Sequence, residues 1–536
     1  MAPESDSASP VHPVVRNALR ISLSAKEYKL LHEYAVQRAP PALQAKLPSP
    51  SRFEAIVRSK SKSNHVTIRT ALRVFLLSGA FLKSLEAVVR RLRGEQSSPP
   101  GAPRTSIFRS PNFRLSLSFS LVLLLHRVLY RFLVRFRTYV RADDAQRFRD
   151  RHPRVAKAMT SRFAPAVGAS MAGFALGVAP QEQLRRTLAI YMATRTLDFL
   201  YNVADEKGYL ENRPSWFGSW LLMPLSCAQL FHAFVFDREA VPNWFGNVLL
   251  SSKAYIHDRP EGLPADVAWP AKDEIVGSLA TIANLRWPAF VSPILHPGST
   301  ESLPSAVQSI APITGPAHPS ISNLSCALLH PSNPSCSTAF VHHLLLTVPP
   351  LARILVTATV AISALKYKSL MAQPITTVNL VSKQIIALTA VLASAAGSAW
   401  GSLCLWNVVL PRKVLPTQRF FLSGALAGLP FALVTHSRSV YLAIFRAAVD
   451  SAWKTGVKRG RWTGWKGGDL FILVLSWAVA GSILEARPSA VEGGGLRKSL
   501  TWLRGDGFVD PVEMAAKKKS KKAGSKKEDN EAGVEE

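Results

Sequence analysis

Residues 381–410 read VSKQIIALTAVLASAAGSAWGSLCLWNVVL, and Lys383 is the only charged residue among them. A helix of about 20 apolar residues is long enough to cross the roughly 30 Å hydrocarbon core of a bilayer. This stretch therefore predicts a transmembrane helix. Comparable stretches lie on both sides of it, so the same argument extends to most of the chain.

The apolar stretches form two series. Another segment, His65–Val89, is helical in pattern but carries interrupting basic residues, so it either spans the membrane or lies in the interface. The sequence thus predicts an all-α integral membrane protein with about nine or ten transmembrane helices in two related halves. The predicted spans are Leu115–Leu133, Phe163–Ala179, Leu184–Val203 and Trp216–Phe236 in the first series, and Phe340–Leu365, Val381–Leu410, Phe420–Thr435, Ser437–Trp453 and Leu470–Leu484 in the second.

The composition of the 536 residues agrees with a membrane protein. Charged residues make up only 19% and hydrophobic residues 48%, whereas soluble domains average about 25% charged residues. The net charge of +30 is concentrated at the ends of apolar segments, as at Arg127, Arg131, Arg135 and Arg137. This arrangement is typical of contact with lipid headgroups. It excludes intrinsic disorder as a description of the whole chain, and we expect no nucleic acid partner.

Five segments describe the predicted organisation. The N-terminus lacks a contiguous apolar stretch, so we expect no cleaved secretory signal. The lysine run from Lys517 to Lys527 either meets anionic lipid, acts as a sorting signal or is simply solvated, and the last interpretation is favoured. The segments are a basic, partly disordered N-terminal region (1–112), a first membrane unit (113–236), an extramembrane Pro/Ser-rich loop (237–339), a second membrane unit (340–485) and a polar lysine-rich tail (486–536).

A repeated motif relates the two series. Each contains two glycines four residues apart, then an arginine at a constant distance, then an aspartate one turn further on, and this shared order predicts a duplication. Glycines at this spacing allow helices to approach closely in a membrane. The motif residues are Gly173, Gly177, Arg195 and Asp198 in the first series and Gly424, Gly428, Arg446 and Asp450 in the second.

Two interpretations of the repeated charges remain open. A charge within a span costs about 2.5–3.5 kcal/mol, which makes it a candidate for a polar pathway. The spacing also lets each arginine neutralise its own aspartate on one helix face. If the chain transports a solute, we expect the four charged residues to face the interface between the halves, as in transporters with inverted repeats.

A second motif combines cysteine and histidine. Cys326, His330 and Cys336 lie close together in the sequence, and His342 and His343 follow. Such residues could form a rigid turn before a span, a disulfide between the two cysteines, or a zinc site. Because the spacing is not that of a standard zinc finger, the turn is favoured and no metal or cofactor is predicted.

The Cys/His segment and the span pairs resemble the transmembrane protein 135 family. The matching positions are Cys326, His330, Pro334, Ser335 and Cys336, and the resemblance is best over residues 323–465. The paired glycine-containing spans are more distantly similar to mitochondrial translocase channels and small peroxisomal membrane proteins. The resemblance implies a mitochondrial or peroxisomal membrane and a role in organelle dynamics or lipid handling, without a defined reaction.

No nucleophile elbow, nucleotide-binding loop or metalloprotease motif occurs in the sequence. His232 and Asp237 have the His-x4-Asp spacing of some glycerolipid acyltransferases, but an accidental match is favoured. We therefore predict a protein that is not an enzyme and has no catalytic residues. The predicted function is movement of lipid or solute, or organisation of organelle membranes, with membrane lipids, other proteins or a second copy as partners. The alternatives are a scaffold that binds partners through its loop and basic tails, and an acyltransferase.

Overall fold

The computed structural model describes residues 13–44, 47–57, 62–92, 108, 110–214, 216–264, 266–297, 303–365, 371, 373–434, 438–517 and 520. Within these ranges the chain is helical and contains no β-strand. A single bridge joins Ala289 to Asn323. The predicted all-α class is therefore confirmed. The lysine run after Lys517 lies almost entirely outside the described residues.

The chain packs into two compact domains. Domain 1 comprises Met1–Glu211 and Trp465–Glu536, and domain 2 comprises Asn212–Gly464. The described α-helices in the first of the two segments of domain 1 are α1 (Pro13–Ser22), α2 (Ala25–Tyr34), α3 (Pro41–Gln44), α4 (Pro50–Val57), α5 (Lys62–Leu92), α6 (Pro111–Arg141), α7 (Gln146–Arg151), α8 (Pro153–Thr160), α9 (Ala164–Ser170) and α10 (Glu182–Glu206).

Domain 2 and the return to domain 1 are also helical. Short 3-10 turns extend several helices, notably Met171–Val178 after α9 and Leu429–Leu433 after the helix that ends at Gly428. The remaining helices are α11 (Leu222–Phe236), α12 (Asn243–Leu250), α13 (Lys272–Asn284), α14 (Ala311–Thr314), α15 (Leu324–Leu329), α16 (Cys336–Leu365), α17 (Pro374–Val409), α18 (Gln418–Gly428) and α19 (Arg438–Lys458) in domain 2, then α20 (Gly468–Ala486) and α21 (Gly494–Arg504) in domain 1.

Five described helices are long and apolar enough to cross a membrane. Each of the predicted spans in these regions forms a helix, which supports the membrane class at these five positions. Ala164–Val178 is apolar but shorter. Helices α10 and α19 are long enough but carry the charges of the repeated motif. The five helices are Pro111–Arg141, Ser219–Phe236, Cys336–Ile362, Pro374–Val409 and Gly468–Ala486.

The domain boundaries differ from the predicted membrane units. Helix α11, predicted to close the first unit, packs on α18 and α19 in domain 2. Helix α20, predicted to close the second unit, packs on α9 and α10 in domain 1. Apolar spans pack with whichever helix offers a close-fitting face, and hydropathy along the sequence does not identify that partner.

The predicted extramembrane loop is a folded part of domain 2. Ile256, in the turn after α12, and Ile275 and Leu279 of α13 are fully buried in one hydrophobic core. The same core contains Phe231 of α11 and Trp400 of α17. This segment is thus joined to the candidate spans α11 and α17 by a continuous apolar interior.

Candidate functional site

Four metal-binding side chains converge in domain 2. Cys326 lies on α15, His330 follows that helix, Cys336 begins α16 and Cys404 lies on α17. One ligand atom from each side chain lies within 4.8 Å of all the others. Cys326, His330 and Cys404 are buried and Cys336 is partly buried. This group is called the Cys3His cluster below.

The local sequence explains how the cluster forms. Helix α15 ends at Leu329 because Pro331 disfavours helical geometry at His330, which has φ −146° and ψ 64°. Ser335 then begins the next helix, since its hydroxyl accepts a hydrogen bond from the Thr338 backbone N–H at 3.5 Å. The turn between the two helices therefore holds His330 and Cys336 on the same side as Cys326.

The distances within the cluster are short. The Cys326 and Cys404 sulfurs are 3.6 Å apart, and His330 Nε2 is 3.4 Å from the Cys404 sulfur. His330 Nδ1 donates a hydrogen bond to the Asn333 carbonyl oxygen at 2.8 Å. Since Nδ1 carries the proton in that bond, Nε2 is the nitrogen that faces the sulfurs.

The thiols of the cluster influence the protonation of its histidine. Burial of the imidazole opposes its charged form, but hydrogen bonds to Cys326 and Cys336 outweigh burial and raise the pKa of His330 to about 10. The protonated imidazole is therefore favoured beside these sulfurs, and a metal ion at Nε2 would have to replace that proton. Burial, and then the charges of Cys404 and Cys336, raise the pKa of the neighbouring Tyr255 hydroxyl.

The cluster goes beyond the sequence prediction. The favoured turn is present, but it also brings Cys326, His330 and Cys336 within ligand distance of one another, and Cys404 completes the set. All four cysteines of the chain carry free thiols. His343, by contrast, bonds to the Ser252 hydroxyl and to the Ala393 carbonyl oxygen, and His342 is exposed.

The motif glycines lie at close helix contacts inside each domain. A Cβ on Gly424 would lie 2.4 Å from the Cys227 carbonyl oxygen, and one on Gly428 would lie 2.3 Å from the Pro224 nitrogen. In domain 1, Gly173 and Gly177 face side chains of α20 at 2.9 Å and 3.0 Å. The glycines of domain 2 therefore approach backbone, whereas those of domain 1 approach side-chain ends.

Arg195, Asp198 and Asp450 of the repeated motif are engaged in ion pairs. Arg195 donates to Asp198 at 2.9 Å, and the Asp198 side chain is fully buried. In domain 2, Asp450 pairs with Lys454 at 2.8 Å, while Arg446 lies half-buried one turn before it. For Arg195 and Asp198 the geometry favours the interpretation of a structural pair.

A groove between α5 and α6 forms a second candidate site. Its volume is about 480 Å³. Its walls include Leu125, Val128 and Phe132 of α6, and Arg131 and Arg135 lie on the same helix at its edge. Arg131 also donates a hydrogen bond to the Thr67 hydroxyl. The groove thus combines an apolar surface with two cations.

His232 and Asp237, the two residues of the acyltransferase pattern, make contacts with different side chains. The His232 ring packs against Phe236 with ring centres 4.9 Å apart. Asp237 accepts a hydrogen bond from Arg459 at 2.6 Å, and Lys458 lies 3.5 Å away. The carboxylate that would orient the histidine is therefore held by Lys458, the last residue of α19, and by Arg459, which follows it.

No protein-family model, curated protein or solved structure matches this chain. The resemblance to the transmembrane protein 135 family accordingly rests on the Cys/His segment and the span pairs of the sequence.

Proposed function

We propose that this chain is a multi-pass protein of a mitochondrial or peroxisomal membrane that moves or sorts lipid and is not an enzyme. The groove between α5 and α6 is the observation that carries the proposal. The five apolar helices support its membrane setting. The Cys/His segment, which resembles that of the transmembrane protein 135 family, supports the organelle.

The shape of the groove suits part of a lipid. Its volume of about 480 Å³ falls within the roughly 300–1,000 Å³ of small-molecule sites. The apolar residues Ile68, Leu125 and Val128 match acyl chains, because they are exposed along the surface of the two helices. A fully polar solute would make no favourable contact with these apolar walls.

The charge of the groove suits an anionic headgroup. Arg131 and Arg135 lie one helical turn apart, so both guanidinium groups can reach one phosphate. An arginine near an anionic membrane surface contributes about 1 kcal/mol of attraction. The combination of apolar walls and two cations therefore favours a phospholipid over a neutral lipid.

The contact pattern also supports two related halves. In domain 1, α6 packs on α5 and α9, and α20 packs on α9 and α10. In domain 2, α17 packs on α16 and α18, and α11 packs on α18 and α19. Each domain thus has the same order of contacts, completed by the last helix of the other series. We propose a duplication in which the two halves exchanged their final helices.

The lipid proposal is tested by reconstitution. The purified full chain is inserted into liposomes that contain a fluorescent anionic phospholipid, and movement of the probe between leaflets is measured. Arg131→Gln combined with Arg135→Gln should slow movement about tenfold or more, since two headgroup contacts are lost. Arg151→Gln combined with Arg154→Gln removes the same charge from exposed positions of domain 1 and should have no effect.

Two results would contradict the proposal. Equal rates for the two double variants would remove the groove from the path of the lipid. Wild-type liposomes that move the probe no faster than empty ones would instead favour the alternative function, a scaffold that binds partners through exposed surfaces and basic tails.

A further inference from the structure

We propose that the Cys3His cluster binds one zinc ion in a closed tetrahedral site that fastens the extramembrane segment of domain 2 to its membrane helices. This inference is independent of lipid movement, because the cluster and the groove lie in different domains. It rests on the convergence of Cys326, His330, Cys336 and Cys404, whose ligand atoms all lie within 4.8 Å of one another.

Two distances within the cluster are close to those of tetrahedral zinc. Zinc–sulfur bonds of about 2.3 Å and zinc–nitrogen bonds of about 2.0 Å place two sulfurs about 3.8 Å apart and a sulfur and a nitrogen about 3.6 Å apart. The corresponding distances here are 3.6 Å between the Cys326 and Cys404 sulfurs and 3.4 Å between His330 Nε2 and the Cys404 sulfur. A disulfide would require about 2.05 Å between sulfurs.

The set of donors favours zinc over other cations. Thiolate and imidazole are soft or borderline ligands that select zinc, copper(I) or iron–sulfur clusters and reject magnesium and calcium. Three cysteines and one histidine form a common structural zinc set. Because the protein supplies all four ligands, no position is left for a reactive water, and the site is structural rather than catalytic.

Groups around the cluster complete the site. The bond from His330 Nδ1 to the Asn333 carbonyl oxygen, 2.8 Å long, fixes the ring and its tautomer as in many zinc sites. Tyr255 is 1% exposed, and its hydroxyl has no hydrogen-bond partner within the described part of the chain. It interacts electrostatically with Cys404 and Cys336.

The position of the ligands defines what the metal does. Cys326 and His330 belong to the extramembrane segment, Cys336 begins the candidate span α16, and Cys404 lies on the candidate span α17. Metal binding therefore cross-links three pieces of chain that no disulfide joins. Since the bound state requires the folded arrangement, metal affinity becomes folding stability for domain 2.

The test is metal analysis of the intact chain, purified in detergent without chelator. We expect inductively coupled plasma mass spectrometry to find about one zinc per chain. Cys336→Ser and Cys404→Ser should each lower zinc at least several-fold, while Cys227→Ser, at a buried cysteine outside the cluster, should keep it. His343→Gln is a matched histidine control and should also keep the metal.

A second measurement covers variants that fail to fold. Cobalt(II) exchanged into wild-type protein should give the intense visible bands of a tetrahedral ion and sulfur-to-cobalt charge transfer, and Cys404→His should retain both metal and fold with weaker charge transfer. The inference is overturned if wild-type protein carries no more zinc than Cys336→Ser, if iron–sulfur absorption replaces zinc, or if Cys227→Ser loses metal equally.

Discussion

Replacing Gly428 by alanine tests the closest helix contact in domain 2. The new Cβ would lie 2.3 Å from the Pro224 nitrogen, 2.4 Å from the Pro224 Cα and 2.6 Å from the Met223 carbonyl carbon. Carbon atoms in contact prefer about 3.5–4.0 Å. Because all three neighbours are backbone atoms of α11, no side chain can rotate away, and α11 and α18 must separate by about 1 Å.

The expected cost is large for one methyl group. Overpacking typically destabilises by about 1–3 kcal/mol, and a clash with backbone belongs at the upper end. A loss of about 3 kcal/mol should lower the melting temperature of domain 2 by about 6–12 °C. Thermal unfolding in detergent, followed by the fluorescence of the buried Trp287 and Trp400, measures this directly.

A matched control adds the same methyl group at a glycine where it would meet no other atom. A Cβ on Gly277, in α13 of the same domain, would meet no atom within 4 Å. Gly277→Ala should therefore leave the melting temperature unchanged or raise it slightly, since alanine favours helix by about 0.5–1 kcal/mol. Equal melting temperatures for Gly428→Ala and Gly277→Ala would refute the packing of α18 on α11.

Two further predictions concern buried and exposed charges. Arg419 is fully buried and donates to Asn407 at 2.8 Å and to the Pro411 carbonyl oxygen at 2.6 Å. Arg419→Met leaves these buried acceptors unpaired and should therefore lower the stability of domain 2 by about 1–3 kcal/mol in the same unfolding assay. The hydrogen bond to Arg73 lowers the pKa of Glu27 to about 2, so this pair stabilises the contact of α2 with α5 above pH about 4.5 and loses that effect as pH falls towards 2. The effect is about 0.5 kcal/mol because both side chains are partly exposed. Hydrogen exchange of the α2 amides, corrected for intrinsic rates, should therefore show weaker protection at pH 3 than at pH 6 in wild type and no such difference in Glu27→Gln.

Hydropathy was enough to predict the helices and not their partners. Residues 381–410 are apolar over more than the length of a span, so α17 was predictable from length alone. The assignment of α11 to domain 2 was not, because it depends on backbone contact between Gly424 and Cys227. Such a contact joins two segments that are far apart in the sequence, and a single sequence carries no signal for the pairing.

The Cys3His cluster was predictable in part. Cys326, His330 and Cys336 share one turn, so their closeness follows from local geometry. Cys404 lies 78 residues after Cys326, and its hydropathy pattern is that of any spanning helix. One signal was present, since a zinc site with three nearby ligands needs a fourth, and the second apolar series contains this single further cysteine.

The proposed function depends most directly on residence of the chain in an organelle membrane. A C-terminal tag on the full chain, imaged with mitochondrial and peroxisomal markers, gives the organelle, and an alkaline carbonate wash of the isolated organelle tests integration. We predict that the tag labels one of these organelles and that the protein stays in the membrane pellet with its five apolar helices. Release of the protein into the supernatant, or labelling of the endoplasmic reticulum or plasma membrane, would contradict the account.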